Sequence, residues 1–148
     1  MRYQDKKVFS MSTWNVCPTI SQSLNCVIIQ VWMGCSDGCI RIFNASGTTR
    51  MNLVSAHPTS IRLLAGCPVC VWSTCSTQNT ICMRSLADGS TRLRLFGHTQ
   101  PVTSFAVVTI PSSDSKYQLW SSAGDGMLVA YSCLARAHSL CIMASIYA

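Results

Sequence analysis

The chain has 148 residues, of which 49% are hydrophobic and 11% are charged, and its formal net charge is +6. This length allows one domain with a core of its own, and the charged fraction lies far below the ~25% of ordinary soluble domains. So few charged residues indicate that the sheets are buried on both faces. They also indicate that the chain is part of a larger structure that covers some of its surface. The lysines and arginines are scattered, whereas nucleic-acid binders concentrate them in one tract or on one face. No nucleic-acid partner is therefore expected.

The chain begins with a polar segment, and its longest apolar tracts, 26–34 and 140–148, have the length of strands. A secretory signal needs an apolar core close to the N-terminus, and a membrane-spanning helix needs about 20 apolar residues. We therefore predict a cytoplasmic protein without a transmembrane segment.

One pattern occurs three times along the chain, each time with a tryptophan near its start. An apolar residue and the tryptophan are followed by mostly small residues, a turn and alternating apolar positions, and the second copy is the most degenerate. Trp32, Trp72 and Trp120 stand 40 and 48 residues apart, which is close to the ~40–45-residue period of a propeller blade. Because one tryptophan falls in an inner strand of each copy, we assign all three to the core.

Each copy has the pattern of a β-hairpin. Residues 31–44 and 119–132 match in register, and both carry an Asp-Gly pair, at Asp37 and Asp125. Asp-Gly is preferred in two-residue hairpin turns, where both positions need positive φ. After the pair, apolar residues alternate with others, as a pleated strand requires. The middle copy carries Gln-Asn at residues 78–79, and Asn tolerates the left-handed conformation of a turn.

A second marker recurs with the same period. His57 and His98 stand 41 residues apart, and each precedes a strand pattern. Since no segment shows a sustained helical period, we predict an all-β fold, a single incomplete domain of three four-stranded antiparallel blades. The predicted blades cover about 8–55, 56–96 and 97–148. Propellers close with about four to eight blades, and three blades leave open sheet edges, which implies self-association or a missing propeller half.

These features resemble the WD-repeat family. Gly97-His98, Asp125-Gly126 and the aromatic Tyr131 resemble that family's Gly-His step, turn aspartate and closing Trp-Asp pair. The resemblance covers residues from about 30 to 138. The closing pair is degenerate and reads Phe43-Asn44, Arg84-Ser85 and Tyr131-Ser132 in the three copies.

The resemblance implies a structural hydrogen-bond network in each blade. In the family, a histidine before the first strand is held by the turn aspartate, often through a hydroxyl. Carried over to the third copy, this network consists of His98, Ser121 or Ser122, and Asp125. A serine hydrolase would need a Gly-x-Ser-x-Gly elbow with an oxyanion hole, and the sequence has no such motif. We therefore predict that the chain is not an enzyme.

The other two copies differ from the third in this network. His57 has Gln78 in place of an acidic mate, so we expect the second blade to be looser. Asp37 occupies the turn of the first copy, and we assign it to the same kind of structural network.

The resemblance implies a protein-interaction scaffold with unknown protein partners. Arginine is enriched in binding hot spots, and we choose four arginines as candidate contact residues. They are Arg41, Arg50, Arg62 and Arg92. As an alternative, the Val-Trp-x-Gly-x-x-Asp-Gly form is similar to propellers beside inositol-polyphosphate 5-phosphatase domains and in some Rho exchange factors. The chain would then be a non-catalytic regulatory fragment of a larger protein.

A third interpretation is direct phosphoinositide binding. Arg92 and Arg94 are the only pair of basic residues that suits such a site, and strand alternation places both on one face.

The sequence contains ten cysteines. Without a secretory signal, they are best explained as small apolar residues that pack in sheets. Cys67 and Cys70 form one CxxC pair and, with Cys35 and Cys39, could supply four thiolates to zinc. A zinc site is typically marked by two CxxC pairs, so we predict neither a metal nor a cofactor.

Overall fold

The computed structural model describes residues 8–13, 30–44, 50–111, 117–133 and 142–147, and the side chains within 30–44, 52–111 and 117–132. These segments contain twelve strands and no helix. The first sheet contains β1 (Val8–Thr13), β2 (Gln30–Cys35), β3 (Cys39–Asn44) and β4 (Arg50–Ser55). The second contains β5 (Ile61–Cys67), β6 (Cys70–Cys75), β7 (Ile81–Arg84) and β8 (Thr91–Leu95). The third contains β9 (Val102–Thr109), β10 (Tyr117–Ala123), β11 (Leu128–Cys133) and β12 (Ile142–Tyr147).

Each sheet is an antiparallel meander in which every strand pairs with its neighbours in sequence. We call the three sheets the first, second and third blade. The first strands lie side by side, because β5 contacts both β1 and β9, as the inner strands of successive propeller blades do. The predicted fold class, a partial all-β propeller of three four-stranded antiparallel blades, is confirmed.

The hairpin turns follow from local residue chemistry. Gly38 and Gly126 adopt φ of 77° and 76°, a conformation that glycine enters at little steric cost. The preceding aspartates stabilise these turns, because Asp37 Oδ1 accepts a hydrogen bond from the Cys39 N–H and Asp125 Oδ1 accepts one from the Met127 N–H. In the second blade the connection is longer, and the turn falls at residues 76–77. The predicted residues 78–79 lie in the same connection, just beyond this turn.

The blades pack face to face through apolar side chains. We call the face of a sheet that carries its tryptophan the Trp face, and the other face the reverse face. The Trp face of the first blade packs on the reverse face of the second, and the Trp face of the second on the reverse face of the third. The Trp faces include Trp32, Ile40 and Ile42, then Ala65, Trp72 and Met83, then Ala106, Trp120 and Ala130. The reverse faces include Val31 and Met33, then Leu64 and Val71, then Leu119, Val129 and Tyr131.

The tryptophans lie on the second strand of each blade, one strand away from the inner one. Trp32 and Trp72 are buried, since a following blade covers each of them. Trp120 is half-buried. The prediction that all three belong to the core therefore holds for the first two and only in part for Trp120.

Candidate functional site

The third blade brings together three of the predicted network residues. His98 lies in the connection before β9, Ser121 lies on β10, and Asp125 lies in the turn between β10 and β11. The distance from His98 Nδ1 to Asp125 Oδ2 is 3.2 Å, and the distance from His98 Nε2 to Ser121 Oγ is 2.7 Å. All three side chains are buried or nearly so. The network ties the loop before the inner strand to the hairpin turn.

The Asp125 carboxylate is held in its charged form. Loss of solvent raises its pKa, but the N–H groups of Met127 and Thr99 and the ring of His98 outweigh that effect and lower the pKa to about 2. Its Oδ2 lies 2.7 Å from the Thr99 N. Because hydrogen bonds to the charged form favour it, Asp125 is a permanent acceptor at neutral pH.

The structure places Ser121, and not Ser122, against the histidine. Adjacent residues of a strand point to opposite faces, and Ser122 lies on the Trp face, where its carbonyl oxygen accepts a hydrogen bond from Thr103 Oγ1. The Ser121 hydroxyl has two acceptors within reach, the Val129 carbonyl oxygen at 3.4 Å and His98 Nε2 at 2.7 Å. A hydroxyl that is buried and engaged in this way offers a substrate no access.

The second blade has a related network with different members. His57 Nδ1 lies 3.3 Å from Gln78 Oε1, and His57 Nε2 lies 2.9 Å from Ser73 Oγ. Arg84 Nε donates to the same Ser73 Oγ at 2.6 Å. The Ser73 oxygen therefore accepts from the arginine, and its hydroxyl proton is free to be donated to His57 Nε2. His57 then carries its own proton on Nδ1 and donates it to Gln78.

This arrangement disfavours a charge on His57. Burial lowers the pKa of His57 to about 4, and the positive charges of Arg84 and Arg94 act in the same direction, whereas the hydrogen bond that His57 donates to Gln78 Oε1 raises the pKa. The imidazole is therefore neutral at physiological pH, which agrees with the tautomer that the hydrogen bonds require.

Arg84 was not predicted as a member of any site. It is fully buried and occupies the strand position that Tyr131 has in the third blade. Its other donors reach the Gly89 carbonyl oxygen at 3.2 Å and the Ala56 carbonyl oxygen at 2.8 Å. Burial lowers its pKa. The signal in the sequence was the degenerate closing pair, in which an arginine ends an apolar strand.

In the first blade the turn aspartate contacts an arginine. Asp37 Oδ2 lies 2.8 Å from Arg41 Nη2, and Asp37 Oδ1 lies 3.3 Å from Arg41 Nη1. This bond raises the pKa of Arg41, against the effect of desolvation. Arg41 is buried, so it presents little surface to a partner, contrary to its selection as a contact residue. The residues that precede β1 lie outside the described segments.

Of the other predicted contact residues, two have described side chains and one does not. Arg62 and Arg92 are exposed, and Arg92 Nη2 also donates to Ser85 Oγ at 3.2 Å. The side chain of Arg50 lies outside the described ones. Arg94 is exposed and shares its side of β8 with Arg92.

The cysteines of the CxxC pair meet across a tight turn. Cys67 Sγ and Cys70 Sγ are 3.8 Å apart, and the Cys70 thiol lowers the pKa of Cys67 more than burial raises it. Cys35 and Cys39 lie in the hairpin of the first blade. Within the described residues, no three metal-binding side chains come together.

Comparison with solved structures supports a β-propeller fold. The chain is similar to the computationally designed protein Ika8, with a TM-score of 0.58 and 21% identity over 75% of this chain and 32% of that one. It is similar to the Cps50 (Swd1) β-propeller domain of Myceliophteria thermophila, with a TM-score of 0.58 and 13% identity over 79% of this chain and 33% of that one. A chain of the mitotic checkpoint complex gives a TM-score of 0.59 and 18% identity over 80% of this chain and 36% of that one.

The chain thus spans about a third of the length of each of these structures. No protein-family model matches the chain, and no curated protein matches it by sequence. The described segments contain no helix that is long and apolar enough to cross a membrane.

Proposed function

We propose that this chain is a protein-interaction scaffold that binds partner proteins through a partial WD-repeat propeller and performs no catalysis. The observation that carries the proposal is that the polar residues which could suggest catalysis are engaged in structural hydrogen bonds. His98, Ser121 and Asp125 are buried in bonds that hold a loop to a turn, and His57 and Ser73 are used in the same way. Function on such a scaffold is carried by its exposed loops and edges.

The outer edge of the second blade is the best candidate contact surface. Arg92, Arg94 and Phe96 follow each other at alternate positions along β8 and just beyond it, and all three are exposed. Phe96 is the most exposed large hydrophobic side chain among the described residues, at 69%. Arginine and aromatic residues are enriched at the centres of protein interfaces. Arg62 also remains a predicted contact residue.

Affinity capture on the immobilised chain tests this proposal. We expect a reproducible set of proteins to be retained by the wild type and lost with the double variant Arg92→Ala/Phe96→Ala. Val69→Ser is the matched control, because Val69 is exposed but lies in the turn between β5 and β6. Equal retention by all three forms, or no specific retention by the wild type, would contradict the proposal.

Two alternatives from the sequence remain as predictions. If the chain is a regulatory fragment of an inositol-polyphosphate phosphatase or a Rho exchange factor, the neighbouring coding sequence will encode such a domain. If Arg92 and Arg94 bind phosphoinositides, vesicles that contain these lipids will retain the wild type and not Arg92→Ala/Arg94→Ala. A cytoplasmic location also remains a prediction, which imaging of the tagged chain would test.

A further inference from the structure

The Trp face of the third blade carries apolar side chains that the described blades do not cover. Val108 is 42% exposed, and Leu128 is 38% exposed. By strand register these positions correspond to Cys67 and Ile81 in the second blade, which are 6% and 0% exposed. The difference arises because the third blade covers the Trp face of the second.

The reverse face of the first blade is open in the complementary way. Val31 and Met33 are only half-buried there. The position of Val31 corresponds to Val71 and Leu119, which are buried against the preceding blade. The chain therefore carries both halves of the contact that its own blades make twice, one half at each end of the stack.

We infer that two copies of this chain associate head to tail, so that the third blade of each copy places its Trp face on the reverse face of the other copy's first blade. The occupant is a second copy because the chain itself supplies the matching surface, and because the two internal blade contacts show how such surfaces pack. Two copies make six blades, which lies within the range of closed propellers. In a ring of two copies, the two contacts are identical and are related by a two-fold rotation.

The size of the open faces suits a stable assembly. Four strands spaced about 4.8 Å apart and about 20 Å long make a face of about 400 Å². Closure covers four such faces, about 1,600 Å² in total, which is the usual size of a specific protein interface.

Light scattering coupled to size-exclusion chromatography tests the inference on the purified chain. The expected mass is twice the 16.1 kDa of one chain. Val108→Glu and Leu128→Glu on one face, and Val31→Glu on the other, should each reduce the mass to that of a single chain. Val69→Glu is the matched control, because Val69 is 41% exposed but lies in a turn away from both open faces. It should leave the dimer intact.

A mixing experiment distinguishes head-to-tail association from other pairings. A mixture of Val31→Glu and Leu128→Glu chains retains one undamaged contact, so a mixed dimer should reappear. If only one of these two variants dissociates, each face packs on the same face of the other copy, and the inference is wrong. A wild-type chain that stays at the mass of one copy at micromolar concentration would also overturn it, and another protein's sheet would then cover these faces. Since this test uses only the chain itself, its failure leaves the proposed scaffold function standing.

Discussion

At the scale of single residues, the second and third blades differ in the group that faces Nδ1 of the buried histidine. The Asp125 carboxylate faces His98, whereas the Gln78 amide faces His57. The Asp125 carboxylate loses its charge in acid, whereas the Gln78 amide is uncharged at any pH. The two blades therefore lose stability in acid over different pH ranges.

The second blade should weaken first as the pH falls. The pKa of His57 is about 4 in the folded chain against 6.5 for a free histidine. Between these values the unfolded chain binds a proton on His57 and the folded chain does not, so the free energy of unfolding falls as the pH decreases from about 6.5 to about 4. The whole difference is about 3 kcal/mol. Urea denaturation at stepwise pH measures it, and His57→Gln should flatten the slope in this range. An equally steep slope in His57→Gln would refute the assignment.

In the third blade, Asp125 gives a response to stronger acid. The pKa of Asp125 is lowered from 3.8 to about 2, so its contribution is complete above pH 3.8 and is lost as the pH falls towards 2. At neutral pH, Asp125→Ala should lower the melting temperature by several degrees, because the N–H groups of Thr99 and Met127 lose their acceptor. Asp125→Asn is the control; it keeps one acceptor oxygen and should lose less. A melting curve that Asp125→Ala leaves unchanged would count against the network.

The loss of Arg84 should be costly in the second blade. Arg84→Ala removes the donor to Ser73 Oγ and to the carbonyl oxygens of Ala56 and Gly89. Buried acceptors without donors and the cavity left behind should together cost about 3 kcal/mol or more. Chemical denaturation measures this loss, with the exposed Arg62→Ala as control, for which a change within about 0.5 kcal/mol is expected. Similar values for both variants would contradict the role of Arg84.

The candidate site could be predicted from sequence only in part. The family resemblance named His98 and Asp125, but it left Ser121 and Ser122 open until strand register placed one on each face. The partners of Arg84 could not be read from the sequence, because two of its acceptors are backbone carbonyls, and one of them, that of Ala56, lies in the connection before the first strand of the blade. An arginine without a carboxylate partner gives no pairing signal in a single sequence.

At the scale of elements, the hairpins that could be predicted are those whose turns have a characteristic local sequence. Asp-Gly pairs are recognisable because few residues adopt positive φ, so the hairpins 31–44 and 119–132 followed from sequence. The second hairpin has no such pair, and its longer connection moved the turn to residues 76–77. Which tryptophan is buried depends on whether another sheet follows, which is a property of the assembly and not of the hairpin.

The packing of the first blade on the second depends on a glycine. A Cβ at Gly34 would collide with the Ile61 side chain of the neighbouring blade. Gly34→Ala should therefore cost about 1–3 kcal/mol through overpacking. At Gly126, where a Cβ would meet nothing within 4 Å, Gly126→Ala should cost about 1–2 kcal/mol from its positive φ alone. Hydrogen exchange should show faster exchange of β2 and β5 in Gly34→Ala only. Unchanged exchange there would place the blade contact elsewhere.

At the scale of the whole molecule, stability depends on neighbours. A repeat of this kind cannot bury its apolar faces alone, and stacking builds a continuous core between successive units. The second blade is covered on both sides, whereas the first and third each have one open face among the described residues. The two outer blades should therefore gain most from association.

Solution X-ray scattering of the purified chain tests this account most directly, because it gives mass and shape together. Blades stacked around an axis and closed by a second copy predict twice the mass of 16.1 kDa and a radius of gyration of about 19 Å, as for a compact protein of that size. The mass of a single chain with an equally large radius would show that the blades do not pack on one another, and it would contradict the account.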